Sequence, residues 1–141
     1  MKRSRILLAD EHSYFSELVE ELLKPTYEVV GKVRDGRALL ETALQLRPDV
    51  IITDISMPIH NGIETIDELQ RRGCHSKVIF LTVDSDADFI RRCLATGAFG
   101  YIVKERLAID LLAAVQEVLS GHLFISPHGD ERSQCSAGEG S

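Results

Sequence analysis

The chain reads as an α/β domain: a doubly wound, five-stranded parallel sheet in which each strand is followed by a helix, the pattern (βα)5. Two observations predict it. Short apolar runs, Ile6-Leu7-Leu8-Ala9, Val50-Ile51-Ile52 and Val78-Ile79-Phe80-Leu81, suit strands covered on both faces. Segments with apolar residues at helical spacing alternate with these runs, and such alternation demands right-handed crossovers with helices on both sides of the sheet. The length of 141 residues allows one domain with a real core and leaves little room for a second.

The first strand, Ile6 to Ala9, stops at the acidic pair Asp10-Glu11. From Ser13, Phe15, Leu18, Val19, Leu22 and Leu23 repeat at i, i+3, i+4, i+7 and i+8, an amphipathic helix closed by Pro25. Tyr27 to Val33 forms the second strand, and Asp35-Gly36 turns into a helix carrying Leu39, Leu40, Ala43 and Leu44, which Pro48 ends. The third strand is the β-branched run from Val50, broken by Pro58; after its loop, Asn61-Gly62 opens a helix with Ile63, Ile66 and Leu69.

Lys77 to Thr82 holds the fourth strand. The acids of Asp84-Ser85-Asp86-Ala87-Asp88 begin the next helix, where the helix dipole favours negative charge. Its stripe of Phe89, Ile90, Cys93 and Leu94 is thin, so this helix is expected to be the least firmly held. Phe99 to Val103 is a short fifth strand ending at Lys104, and the last helix carries Leu111, Leu112, Val115, Val118 and Leu119 before Gly121. Residues 127–141 contain no Leu, Ile, Val, Met or aromatic residue and are expected to be a disordered polar tail behind a folded unit of residues 1–126.

Composition narrows the function. Sixteen basic against 22 acidic residues give a net charge of −6, and the basic residues are scattered apart from Arg71-Arg72 and Arg91-Arg92. That argues against direct nucleic-acid binding, which needs a concentrated positive face. Cys74, Cys93 and Cys135 lack paired spacing and read as inert thiols. The apolar run behind the basic start is too short for a signal peptide or a membrane span, so a cytoplasmic protein is expected.

The polar residues at the carboxyl ends of the strands are Asp10 and Glu11 from the first, Asp54 from the third, Thr82 from the fourth and Lys104 from the fifth. In an open α/β sheet this edge faces the ligand crevice. Taken alone, Asp54 is equally readable as a turn cap. Its companions decide: unit charges 4 Å apart repel by about 4 kcal/mol at an effective dielectric near 20, so three acids require cations among them. An all-oxygen site with open positions suits Mg²⁺, and Lys104 adds a movable second cation. Such parts suffice for phosphoryl transfer, in which positioning and cations do most of the work, with Asp54 as the nucleophile.

The set Asp10-Glu11, Asp54-Ile55-Ser56-Met57-Pro58, Asn61-Gly62, Thr82 and Lys104 resembles the receiver domain of two-component response regulators. The likeness covers about residues 5 to 126. It implies a flavodoxin-like sheet in the order 2-1-3-4-5, an order that spacing alone does not supply. It also implies that Asp54 accepts a phosphoryl group from a sensor histidine kinase, with Mg²⁺ held by Asp10, Glu11, Asp54 and the backbone carbonyl of Ser56. Thr82 and Tyr101 would then be the switch pair, moving the 85–106 face toward a partner or, through the 85–121 face, a second copy. Ala9-Asp10-Glu11-His12 and Gly121 to Pro127 are similar to receivers that precede a LuxR-type helix-turn-helix domain, which points to transcriptional regulation.

Two positions depart from the family pattern. Glu11 stands where Asp is common, and Val83 where the residue is usually very small; Val83 is expected to crowd the site and slow phosphoryl loss. His12 is expected to contribute less than the acids. The competing readings are a Mg²⁺-dependent phosphatase with an aspartyl-phosphate intermediate, a flavodoxin-like cofactor binder and a phosphorylation-independent interaction module. Ser56 stands where such phosphatases carry a second Asp, Asp10-Glu11-His12-Ser13 has no phosphate-cradling Gly, and the intact five-residue set disfavours the last.

Overall fold

Successive side chains along a strand point to opposite faces, so a strand with no polar alternate needs cover on both sides. The computed structural model describes residues 3–57, 59, 61–83 and 87–127, the side chain of Phe89 excepted. Its strands are β1 (Arg5–Ala9), β2 (Glu28–Val33), β3 (Val50–Asp54), β4 (Lys77–Thr82), β5 (Gly100–Val103) and β6 (Phe124–Ile125). The helices are α1 (Ser13–Leu23), α2 (Gly36–Leu46), α3 (Gly62–Arg71), α4 (Ala87–Ala95) and α5 (Leu107–Leu119). All strand pairs are parallel, in the order β2-β1-β3-β4-β5-β6.

The period of two divides the core as the apolar runs predict. Leu7, Ile51, Phe80 and Tyr101 pack on one face with Leu39, Ala43, Ile66, Leu69, Ile90 and Cys93 from α2, α3 and α4. On the other, Ile6, Leu8, Val50, Ile52, Ile79, Leu81 and Ile102 pack with Val19 and Leu23 of α1 and Leu107, Leu111, Val115 and Val118 of α5. Helix starts follow local chemistry. Asp35 Oδ1 accepts from the Ala38 amide at 2.8 Å and Asn61 Oδ1 from the Glu64 amide at 2.9 Å, each satisfying a first-turn donor.

The five-stranded core has the anticipated order, and the structure adds β6 outside β5. The Phe124 amide donates to the Phe99 carbonyl at 2.9 Å and the Ser126 amide to the Tyr101 carbonyl at 2.8 Å. Two paired residues are too few to show a strand period in sequence. Leu112 also departs from its expected stripe: it is 46% exposed and Ile109 70%, because the buried face of α5 runs through Leu107, Leu111, Ala114, Val115 and Val118. Among the described residues of α4, Ile90 and Cys93 are buried, Leu94 packs partly buried against the core, and Arg91 and Arg92 are exposed.

Cys74 and Cys93 are buried free thiols, and burial pushes Cys93 up to about 11, leaving it protonated and unreactive. Among the described residues no helix is long and apolar enough to cross a membrane. Pro58, Asp84, Ser85, Asp86, Cys135 and the expected tail beyond Pro127 lie outside the described residues.

One glycine closes the loop that leaves β3. The Gly62 amide donates to the Ile55 carbonyl at 2.7 Å, and a Cβ at Gly62 would stand 2.5 Å from the Asp54 carbonyl oxygen. Backbone cannot yield as a flexible side chain would, so Gly62→Ala is expected to cost about 1–3 kcal/mol, read as a lower urea midpoint at constant slope. An unchanged midpoint would show that the loop does not close against β3 in this way.

Candidate functional site

Register brings the site together. Ala9 of β1 pairs with Thr53 of β3, so the next residues, Asp10 and Asp54, emerge side by side. Asp54 pairs with Leu81 of β4, placing Thr82 one step further, and Thr82 pairs with Val103, after which Lys104 leaves the sheet in a 3-10 turn, Lys104–Arg106. Asp10, Asp54, Thr82 and Lys104 are all buried at this edge.

The Lys104 ammonium bridges the two acids, 2.9 Å from Asp10 Oδ2 and 3.1 Å from Asp54 Oδ2. Phe15 of α1 lies over it, its ring centroid 4.3 Å from Nζ, shielding the charge from water while its π face attracts the cation. Among the described residues, Asp54 Oδ1 receives the Ser56 amide alone, at 3.3 Å. Asp10 Oδ2 is buried and has no hydrogen bond of good geometry, so the ion pair is its compensation. One ammonium is thus shared by two carboxylates. Burial, and next the charge of Asp10, raise the Asp54 carboxyl above its ordinary value, against the opposing pull of Lys104.

Among the described residues, Asp10, His12 and Asp54 form the group of metal-ligating atoms that lie within 4.8 Å of one another. The Glu11 carboxylate is not part of that group; the Glu11 carbonyl instead accepts from Arg34 Nη2 at 2.9 Å. His12 Nδ1 stands 3.1 Å from Asp10 Oδ1 and 3.8 Å from Asp54 Oδ2. Ser56 and Val83 are exposed at the rim, Val83 to 79%, while Tyr101 is fully buried in the layer that α4 covers. Sequence reasoning missed the second role of Phe15, which it used only as the first residue of a helical stripe. The signal that could have found it is that Phe15 follows the acid pair closely, on the segment that crosses over the pocket.

The raised Asp54 value has a consequence for stability. Where the native state holds a proton more tightly than the unfolded chain, ionisation costs stability above the native value, and the cost fades as pH falls toward the ordinary carboxylate value. Asp54→Asn is therefore expected to stabilise the metal-free protein at pH 7 by on the order of 1 kcal/mol, roughly 4 °C in Tm. The gain should shrink as the pH approaches about 4. A variant less stable than wild type at pH 7 would contradict this electrostatic reading.

A family model described as the response regulator receiver domain matches residues 6–116. The chain is 38% identical over 125 residues to the transcriptional regulatory protein DegU of Brevibacillus brevis, covering 87% of this chain and 53% of that protein. It is 32% identical over 123 residues to the nitrate/nitrite response regulator protein NarL of Escherichia coli strain K12, covering 86% and 57%. The chain therefore spans a little over half the length of these curated relatives. A two-component response regulator of the LuxR family from Aurantimonas sp. SI85-9A1 superposes with a TM-score of 0.84 at 25% identity, covering 89% of this chain and 91% of that one. The non-phosphorylated receiver domain of the stress response regulator RcsB from Escherichia coli does so with a TM-score of 0.82 at 25% identity, covering 89% and 99%. With the family model extending from β1 into α5 and the acids and lysine gathered at the strand ends, the chain belongs to the response regulator receiver domains of two-component signalling.

Proposed function

We propose that this receiver, taken as residues 1–126, is a phosphorylation-activated switch in which Asp54 accepts a phosphoryl group from the phosphohistidine of a sensor kinase. The observation that carries the proposal is the under-neutralised pair Asp10 and Asp54, joined by one buried ammonium at the mouth of the central strand. Asp54 Oδ2 is engaged by Lys104, which leaves Oδ1, held among the described residues by a long contact from the Ser56 amide, as the attacking oxygen. Its bond to phosphorus forms as the phosphorus–nitrogen bond to the donor imidazole breaks, and the imidazole keeps the bonding pair.

The residues present suit a divalent cation: the two buried carboxylates share the single Lys104 ammonium, and the neighbouring charge of Asp10 works against the ionised form of Asp54. Asp10, Asp54 and the Ser56 carbonyl, with Glu11 as the family pattern implies, would hold Mg²⁺, which supplies charge neutralisation for the transferring phosphoryl oxygens. Lys104 and the Thr82 hydroxyl would bind the new oxygens on Asp54. Thr82 moving inward gives Tyr101 its path, and the thinly seated α4 lets the 85–106 face change. A second copy meeting through the 85–121 face, and transcriptional control as in the relatives' names, would be the output. Ser56 provides no general acid for turnover, which supports a switch over a phosphatase.

Intact-mass measurement after exposure to acetyl phosphate tests this directly. One phosphoryl group is expected with Mg²⁺ present, and none without the metal or in Asp54→Asn. A mass that never changes, or a gain that persists in Asp54→Asn, would overturn the proposal. Val83, beside Thr82, is expected to shield the acyl phosphate from water, so Val83→Ala should shorten the phosphorylated lifetime several-fold; an unchanged lifetime removes that role.

A further inference from the structure

A buried carboxylate outside the acid pair ties down the backbone on both sides of Lys104. Asp110 lies in the first turn of α5, and its side chain is buried. Ser126, just past β6, is 1% exposed, and its hydroxyl donates to Asp110 Oδ2 at 2.7 Å. A hydroxyl carries one proton; with that proton committed to Asp110, the Ser126 oxygen accepts from the Val103 amide at 3.2 Å. From the other direction, Arg106 donates to Asp110 through Nε at 2.9 Å and Nη2 at 3.3 Å. Asp110 thus holds the residue before Lys104 through Ser126, and the residue two beyond it through Arg106.

The position of these grips matters. The pairing of β5 with β6 ends at Tyr101 and Ile125, so Val103 stands past the ladder, and its amide is met by a side-chain hydroxyl. A buried amide without an acceptor is costly, which makes Ser126 the anchor of this end of β5. Lysine carries its charge on a flexible four-carbon stem, so the placement of its ammonium depends on where its backbone is fixed. The Lys104 ammonium stands 3.1 Å from Asp54, and a displacement of about 1 Å at a reacting centre is enough to slow a reaction severely. We propose that Asp110 and Ser126 are positioning residues for Lys104: by fixing Val103 and Arg106 they set the ammonium against Asp10 and Asp54. The inference rests on the phosphorylation reading for the purpose of the ammonium, but not for its placement.

Lys104 reports its own position, because its Nζ lies 4.3 Å from the centre of the Phe15 ring. Ring current should shift the adjacent methylene protons upfield in the NMR spectrum of the wild type, and Ser126→Ala should return them toward ordinary lysine positions. Phosphorylation of that variant by acetyl phosphate with Mg²⁺ should slow about fivefold or more, while its Mg²⁺ affinity by calorimetry stays within about twofold of wild type. The affinity should hold because Ser126 bonds to Val103, Tyr101 and Asp110 rather than to the oxygens proposed for the ion; a general loss of structure would lower rate and affinity together. Arg106→Met removes the second grip at a side chain 34% exposed and should give the same pattern; it decides by the same criteria if Ser126→Ala does not fold. The inference is overturned by any of four results: no upfield shift in the wild type, wild-type shifts retained in the variant, an unchanged rate, or a loss of Mg²⁺ affinity that matches the loss of rate. If the wild type takes up no phosphoryl group, the phosphorylation reading falls, and the methylene shifts still decide whether Asp110 and Ser126 place Lys104.

Discussion

A single ammonium shared by two buried carboxylates governs the edge of this sheet. Lys104 lies within 3.1 Å of both Asp10 and Asp54, and none of the three side chains is appreciably exposed. A buried pair is rarely a net source of stability, because desolvation offsets the attraction, but removing one partner strands the other at a cost of several kcal/mol. The arrangement is therefore better understood as poised than as stabilising. Two negative charges face one positive charge, and the raised Asp54 value records the imbalance. The pocket gains by admitting further positive charge.

Everything that positions the three groups is backbone register and packing. Asp10 and Asp54 are neighbours because β1 and β3 pair Ala9 with Thr53, and Lys104 arrives because β5 ends beside Thr82. The rim is less uniform. Gly62 holds the loop after β3 close against the Asp54 carbonyl, and Ile59 in that loop has φ +74°, a costly conformation for a β-branched residue. Strain of this kind is common in loops around functional sites. Among the described residues, α5 is anchored through Leu107, Leu111, Ala114, Val115 and Val118, and α4 through buried Ile90 and Cys93 with Leu94 partly buried against the core.

The sheet was legible because Val50-Ile51-Ile52 and Val78-Ile79-Phe80-Leu81 have no polar alternate, a pattern that only double cover explains. Asp35 and Asn61 marked helix starts through capping chemistry that acts within three residues. The strand order was not legible from spacing, since any (βα)5 chain is compatible with several orders, and it came with the resemblance carried by the site residues. β6 escaped notice because two residues pair through backbone amides, which leave no side-chain signature. Leu112 was misplaced because α5 is apolar around more than one face and its stripe has several readings.

The central claim is that Lys104 is held by its two carboxylates and that Asp54 is held by Lys104. A double-mutant cycle of Lys104→Met and Asp54→Asn, measured by urea unfolding of metal-free protein, tests it most directly. Lys104→Met alone is expected to cost about 3 kcal/mol or more, because two buried carboxylates lose their cation, and the cost should fall by on the order of 1 kcal/mol or more when Asp54 is already Asn. Effects that add within about 0.5 kcal/mol would mean that the two groups do not sense each other, and the poised pocket would not exist.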